Sequence, residues 1–365
     1  MFNPGRLTLA RLRAGFSKSE LAARAGISAR TVSNYETGKQ QPGDDVLADL
    51  ARALAFPVAF FTQEAAPQIT RADRDGISFR ARSKITQAQE DTAVATTKLA
   101  GMILAWLEQH LELPKTNLPD LSTHASDPET AAAIIREDWG FGETPIPDLL
   151  AAVERHGVRV FSLAMDTLAV DAFSVWHEGM PMIFLNRKKT AERCRFDLAH
   201  ELGHLLLHSN TRPQGREIEK EADAFAAALL LPRRAMLAER VGTGILPALL
   251  PVKQRWGVSA AALNYRLHKL GLVSEWMYRN NCIELAKIGR NCEPQSTLKF
   301  EESRLWRKAF AALQEAGYTR RQVADAMQLT LSRLNELSFG LQTVVNDNPA
   351  IATSQIAAPM LKILK

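Results

Sequence analysis

Residues 197–208 read Asp-Leu-Ala-His-Glu-Leu-Gly-His-Leu-Leu-Leu-His, an apolar run whose polar positions make sense only on a helix. Side chains four apart lie on one helical face, so His200 and His204 can present two imidazoles to one point while Glu201 reaches a water held there. Two histidines and a glutamate on a largely apolar face would be costly to bury without partners. The spacing therefore predicts a helix carrying two zinc ligands, His200 and His204, and a general base, Glu201, as in a zinc hydrolase.

A catalytic zinc takes three protein ligands plus water, so the pentad is incomplete alone. Downstream, residues 217–232 open with acids at 217, 219, 221 and 223 and continue as an apolar second helix. Glu219 and Asp223 share a face of it. This favours Glu219 as the third metal ligand and Asp223 as the group that hydrogen-bonds a ligand histidine and fixes its tautomer. Glu221 points elsewhere and is the reserve ligand. One turn beyond His204, His208 either serves behind the ligands or toward substrate, or is a structural residue at the helix end, where a cation is favoured. A metzincin would need histidine ten residues after His200, and position 210 is Asn, so that class is excluded.

The N-terminus carries a second, independent pattern. Helices are expected over Leu7 to Ala14, Lys18 to Ala25, Ala29 to Thr37, Asp44 to Leu54 and Val58 to Phe61. Ala25-Gly26-Ile27-Ser28 gives a glycine turn followed by a serine N-cap, the punctuation of a helix-turn-helix. Leu21, Ala22, Ile27, Val32, Leu47, Leu50 and Leu54 fall at core spacing. That leaves Ser28, Arg30, Thr31, Ser33 and Asn34 outward on the third helix, where short polar and Arg side chains suit base edges in a major groove. Lys18, Lys39 and Gln41 are placed to meet phosphates. The segment from Lys18 to Pro42, with its Ser-Asn-Tyr-Glu-Thr-Gly-Lys run, resembles the XRE (Cro/C1-type) helix-turn-helix family over about the first sixty residues. A protein-interaction bundle is the alternative, because residues 1–64 hold eight Lys and Arg against six Asp and Glu, a difference of only +2. The outward polar residues of the third helix favour DNA.

The chain has 365 residues, 46% of them hydrophobic, enough for two or three cores of ordinary domain size. No apolar run is long enough to span a bilayer, and no basic flank with a long apolar stretch opens the chain, so no membrane partner and a cytoplasmic setting are expected. Three cysteines, Cys194, Cys282 and Cys292, are too few and odd in number for a disulfide scaffold, and free thiols are expected. The net charge of +5 favours a polyanionic partner only if it is clustered.

Between the two patterns, residues 64–83 turn polar, with Arg71, Arg74, Arg80 and Arg82 around Ile77-Ser78-Phe79, read as a linker with a short strand. Those arginines either extend a DNA footprint or solvate an interdomain surface. Helices follow over 87–112 and 145–156, the second with Pro147 near its start and Gly157 as its stop. Strands are expected over Val158 to Leu163, Ala172 to Trp176 and Met182 to Leu185, the last two joined by a turn through His177 to Pro181. An edge strand beside the metal would align an extended peptide by strand addition.

Residues 145–275 together resemble the ImmA/IrrE family of metallopeptidases. The resemblance rests on the strand pair, the His200 to His208 segment, Glu219-Lys-Glu-Ala-Asp-Ala-Phe-Ala226, the Leu-Leu-Leu-Pro232 end and Trp256-Gly-Val-Ser-Ala-Ala-Ala-Leu-Asn-Tyr-Arg-Leu267. It implies zinc held by His200, His204 and Glu219, Glu201 as general base, and cleavage of a partner repressor of helix-turn-helix type. Where the family often has Asn, this chain has Asp223, which keeps a hydrogen bond and adds charge. Tyr265, Arg266 and His177 are candidate oxyanion donors.

The fold expected is α+β and mostly α. Residues 1–64 form a five-helix DNA-binding domain, 65–144 a linker and helical region, 145–275 a zincin-like domain with a small sheet, and 276–365 a C-terminal helical region. In that last region Arg304 to Leu313 is amphipathic, and Tyr318 to Met327 followed by Leu329 to Leu337 faintly echoes the first helix-turn-helix. It is read as a second DNA reader or as a helical cap or dimer surface. The tail after Val344 has little to order it. Two functions fit. One is a DNA-binding regulator, dimeric on a palindromic operator, whose zinc endopeptidase cuts a repressor or its own linker near residues 64–84. The other is a non-catalytic, antitoxin-like repressor whose zinc domain senses a signal or grips a partner.

Overall fold

The computed structural model describes residues 1–63, 86–163, 171–209, 215–239, 241–289 and 292–338, with 77–81 and Val170 as backbone alone. Arg71, Arg74, Arg82, the Arg80 side chain and the tail after Val344 therefore lie outside the described residues.

The chain opens with four helices, α1 (Pro4–Arg13), α2 (Lys18–Arg24), α3 (Ala29–Glu36) and α4 (Asp44–Leu54), and a 3-10 turn at Val58–Thr62. α1 starts three residues before the hydrophobic pattern suggested. Asn3 accepts hydrogen bonds from the backbone N–H groups of Gly5 and Arg6, and Pro4 fills the first helical position, where its missing N–H costs nothing. Ser17 and Glu20 close a capping box on α2, and Ser28 caps α3. Leu21, Ala22, Val32, Leu47, Leu50 and Leu54 are buried as expected, while Ile27 is only half-buried. Arg11 ties α1 to α3 through Glu36 at 2.6 Å.

A mixed four-stranded sheet follows, built from β1 (Ile77–Ala81), β2 (Arg159–Leu163), β3 (Val170–His177) and β4 (Met180–Asn186) in the order β1-β3-β4-β2. β3 and β4 form a hairpin whose two-residue turn, Glu178-Gly179, has both φ values positive at 52° and 77°. Such a turn matches the right-handed twist of the strands, which is why the loop is shorter than the stretch from His177 to Pro181 suggested. β2 runs parallel to β4, and the strand expected in the linker pairs antiparallel with β3.

Helices cover the sheet. α5 (Gln87–Glu108) ends four residues early, and α6 (Pro128–Asp138) follows. α7 (Leu149–Arg155) begins after Pro147 rather than around it. Proline disfavours a helical residue before it, and Asp148 supplies the N-cap by accepting from the Ala151 N–H. α8 (Ala191–Leu207) lies against β3 and β4, and α9 (Arg216–Leu230) packs along α8 and α6. α10 (Arg233–Ala238), α11 (Leu246–Trp256), α12 (Ala260–Lys269) and α13 (Glu275–Ile288) extend this layer. The chain closes with α14 (Arg304–Glu315), α15 (Arg320–Ala326) and α16 (Leu331–Leu337). Trp306 on α14 is buried and donates its indole N–H to the Val160 carbonyl at 2.9 Å, fastening these helices to β2.

Among the described residues no helix is long and apolar enough to cross a membrane. Cys194 is buried, Cys282 and Cys292 are exposed, and all three are free thiols.

Candidate metal centre and nucleic-acid interface

α8 begins at Thr190, whose hydroxyl accepts the Arg193 N–H, and runs beneath the sheet with its polar face turned toward α9. What allows α9 to come close is Gly203, inside the pentad. A Cβ built there would lie 3.0 Å from the Phe225 ring and 3.4 Å from the Ala222 Cα, so a larger residue fits only if the buried Phe225 ring or α9 gives way. With α9 seated, its first two turns carry Glu219, Glu221 and Asp223 over the histidines.

The Nε2 atoms of His200 and His204 stand 3.0 Å apart, and the Glu219 carboxylate lies 3.4 Å from the first and 3.3 Å from the second. One ligand atom from each of these three residues falls within 4.8 Å of the others, a group that could hold a metal ion.

The outer bonds set the tautomers. His200 Nδ1 is 2.8 Å from Asp223, an acceptor, so the ring proton sits on Nδ1 and Nε2 is a bare lone pair. His208 Nε2 is 2.9 Å from Glu221, so His208 carries its proton there and offers Nδ1 as an acceptor. That atom lies 3.1 Å from His204 Nδ1, which must therefore be the donor, leaving His204 Nε2 bare as well. Three lone-pair atoms thus converge where only a cation relieves their repulsion, and the donor set of two imidazoles and a carboxylate fits zinc.

The charge state agrees. Burial pushes the His204 imidazole down to about 4, and burial likewise lowers His208. For Glu219 burial acts upward, but at low pH, where the His200 and His204 rings take up a second proton, hydrogen bonds from them outweigh it and hold the carboxyl down at about 2. Near neutral pH the centre is one carboxylate facing neutral His204, and no proton has to leave these two groups before a metal binds.

Glu201 is fully buried, and its Oε2 accepts a hydrogen bond of 2.6 Å from the Ser174 hydroxyl on β3. Trp176, two residues along, donates its indole N–H to the Leu205 carbonyl at 3.3 Å. These two bonds fix β3 to the helix that carries the pentad.

The oxyanion candidates fare unevenly. Arg266 is buried and donates to the Leu231 carbonyl and to Glu129, so it braces α9 against α6. Tyr265 is exposed with the Lys269 ammonium over its ring. His177 packs on α5 at Gly101, where a Cβ would meet its Nε2 at 2.8 Å. Sequence reasoning missed Ser174, the place of Glu221 behind His208, and the packing demand on Gly203. Ser174 was the one polar residue in the stretch expected as a strand, Ala172 to Trp176, and a buried hydroxyl needs a partner.

On the N-terminal unit, Ser28, Arg30, Lys39 and Gln41 are exposed, and Thr31, Ser33 and Asn34 are half-buried. Lys18 donates to the Ser33 hydroxyl at 3.0 Å and lies 3.5 Å from Glu36; Asn34 donates to Gln40 at 3.1 Å. The outward face expected of α3 is therefore partly committed to bonds within the unit, and Arg30 is the exposed one of its expected readers.

Residues 7–61 match a family model described as helix-turn-helix, and residues 153–268 match a peptidase family model described as the IrrE N-terminal-like domain. No curated protein matches the chain. Both resemblances read from the sequence are thus found in one chain, which joins a helix-turn-helix DNA-binding domain to a metallopeptidase-type domain.

Proposed function

We propose that this protein is a DNA-bound regulator whose second domain is a zinc-dependent endopeptidase, with His200, His204 and Glu219 as zinc ligands and Glu201 as general base. The observation that carries the reading is the convergence of bare His200 Nε2, bare His204 Nε2 and the Glu219 carboxylate beside Glu201. Zinc in such a site polarises a scissile carbonyl and lowers the pKa of water. Asp223 orients His200, while Glu221 acts through His208 to orient His204. Glu201 takes a proton from the attacking water and delivers it to the leaving amine, and Ser174 holds the carboxylate in position for both transfers.

The substrate is an extended peptide, either a helix-turn-helix repressor or this chain's own linker. Support comes from β1, a linker strand that adds to β3 with Ser78 opposite Ser174, the residue bonded to Glu201. The rest of the linker expected to be cut, residues 64–76 and 82–84, lies outside the described residues. The same pairing supports the second reading, a zinc unit that grips a partner without turnover, because β3 offers no free edge until β1 leaves it. Dimerisation on a palindromic operator belongs to either reading.

Intact mass of the zinc-loaded protein and of Glu201→Gln, each with and without helix-turn-helix repressors, tests the proposal. Fragments from wild type alone are expected, with the mass distinguishing a cut in the linker from one in the partner. One zinc per chain and no fragment under any condition would leave the gripping unit as the function.

A further inference from the structure

The three helices after Ser303 repeat the geometry of α1–α3 position by position, 302 residues further on. Ser17 and Glu20 form the capping box of α2, and Thr319 and Gln322 form that of α15. Ser28 caps α3 and Thr330 caps α16. The left-handed residues coincide too, with φ of 71° at Gly15 and 89° at Gly317, then 65° at Gly26 and 54° at Gln328. Turn hydrogen bonds follow suit: Gly15 N–H to Leu12 carbonyl and Gly317 N–H to Gln314 carbonyl, both 2.9 Å; Ile27 to Ala22 at 3.0 Å and Leu329 to Ala324 at 2.8 Å. Leu21, Ala22, Val32 and Tyr35 are buried, and so are their counterparts Val323, Ala324, Leu334 and Leu337.

The surface chemistry differs. Arg30, the accessible reader of α3, corresponds to Ser332, and Ala29 to an exposed Leu331. Thr31 and Asn34 correspond to Arg333 and Glu336, which point into the molecule. Glu336 receives Arg13, at the end of α1, at 2.7 Å, and Arg333 at 2.9 Å. Arg333 also donates to the Leu54 carbonyl at 3.2 Å, with its guanidinium 5.1 Å from the centre of the Phe56 ring. The Glu336 carbonyl accepts the Ser162 hydroxyl of β2. Arg13 is 2% exposed, so this is a buried ion pair whose partners need each other.

We propose that residues 304–338 are a second helix-turn-helix unit whose reading helix, in place of entering a DNA groove, clasps the back of the N-terminal DNA reader and ties it to β2. The clasp meets the C-terminal ends of α1 and α4, while Ser28 and Arg30 at the start of α3 stay exposed. Both can therefore operate together: the reader keeps its groove-facing surface while its bearing on the metal-binding domain is set from behind. The partner for this second unit is thus a protein surface within its own chain, and its Glu336 carboxylate is matched by two arginines.

The test uses the full chain and a library of randomised DNA duplexes selected on wild type. In Arg333→Ala/Glu336→Ala, amide exchange at Ala10–Ala14 and Ala51–Leu54 should become roughly tenfold faster, with the selected DNA sequence unchanged. Glu336→Gln, which keeps a hydrogen bond to Arg13, should give a smaller acceleration and guards against a global folding defect. Arg30→Ala should show the converse, loss of sequence selection with exchange unchanged. Were the double variant to drop part of the selected sequence while exchange stayed as in wild type, the unit would be a second DNA reader. Unchanged exchange and unchanged selection together would also overturn the clasp.

Discussion

Around the metal centre, His200, Glu201 and His204 are almost inaccessible, and each is held by a named partner. On α3, Ser28 and Arg30 face solvent and their neighbours make only short polar bonds within the unit. On the proposed function, one region must hold its ligand histidines in fixed tautomers; the other must remain available to a large polyanion. Residues in the first should therefore fail together when one is changed, and residues in the second should fail one at a time.

The largest effect is expected from His204→Ala, which removes a ligand and also strands His208 and Glu221. Zinc per chain by elemental analysis should fall to near zero, and retained stoichiometric zinc would contradict the ligand assignment. Glu201→Gln should retain zinc and DNA binding while peptide cleavage disappears; loss of metal there would deny it the role of base. Asp223→Ala and Glu221→Ala should each weaken zinc by about 10- to 100-fold, and because both act through histidine tautomers the double variant should depart from additivity. Zinc titration of all three reads this, and strict additivity would show that the two relays are independent.

On the exposed side, Arg30→Ala should cost about 1–3 kcal/mol of specific DNA binding, and Lys39→Ala should reduce the salt slope by about one without altering sequence preference. Equal wild-type affinity for selected and scrambled duplexes would remove the basis for both. Acid should separate the regions further. In the metal-free protein His204 is depressed to about 4, so the unfolded chain binds more protons between that value and the ordinary imidazole range. Stability should therefore fall as pH drops from about 6.5 to 4. The Glu219 carboxyl, held at about 2, acts in the same direction below its ordinary range. Thermal melts of chelated protein at pH 7, 5.5 and 4 should decline by several degrees, and a rise would reverse the sign assigned to His204. The smallest change is expected from Gln328→Gly, which should relieve a left-handed side chain and stabilise by about 1 kcal/mol.

Much of this was legible in the sequence because it is local. The helix cap at Ser28, the Gly26 turn and the spacing of His200 and His204 act over four or five residues, and the structure places them where those patterns put them. The positions of Glu219 and Asp223 over the histidines were also accessible, since helical periodicity puts them on one face. What stayed hidden depends on contacts between elements. Glu221 reaches His208 only after Gly203 lets α9 settle on α8, and Ser174 meets Glu201 only once β3 lies across that helix. Arg266, read as an oxyanion candidate, is drawn away by Glu129, a partner 137 positions earlier in the chain. Likewise the equivalence of α1–α3 with α14–α16 is faint in residue identity because caps and left-handed turns, which several residue types can satisfy, carry the geometry.

Glu219, Glu221 and Asp223 all ride on the first two turns of α9, so a single helix brings a metal-facing carboxylate and both outer acceptors. A cation that selects the seated helix over any displaced one works as a rivet: by mass action, its free concentration sets how firmly α9 is pinned to α8. If Glu219 binds zinc as proposed, the melting temperature of this layer would gauge available metal, and starvation for zinc would loosen the wall of the centre.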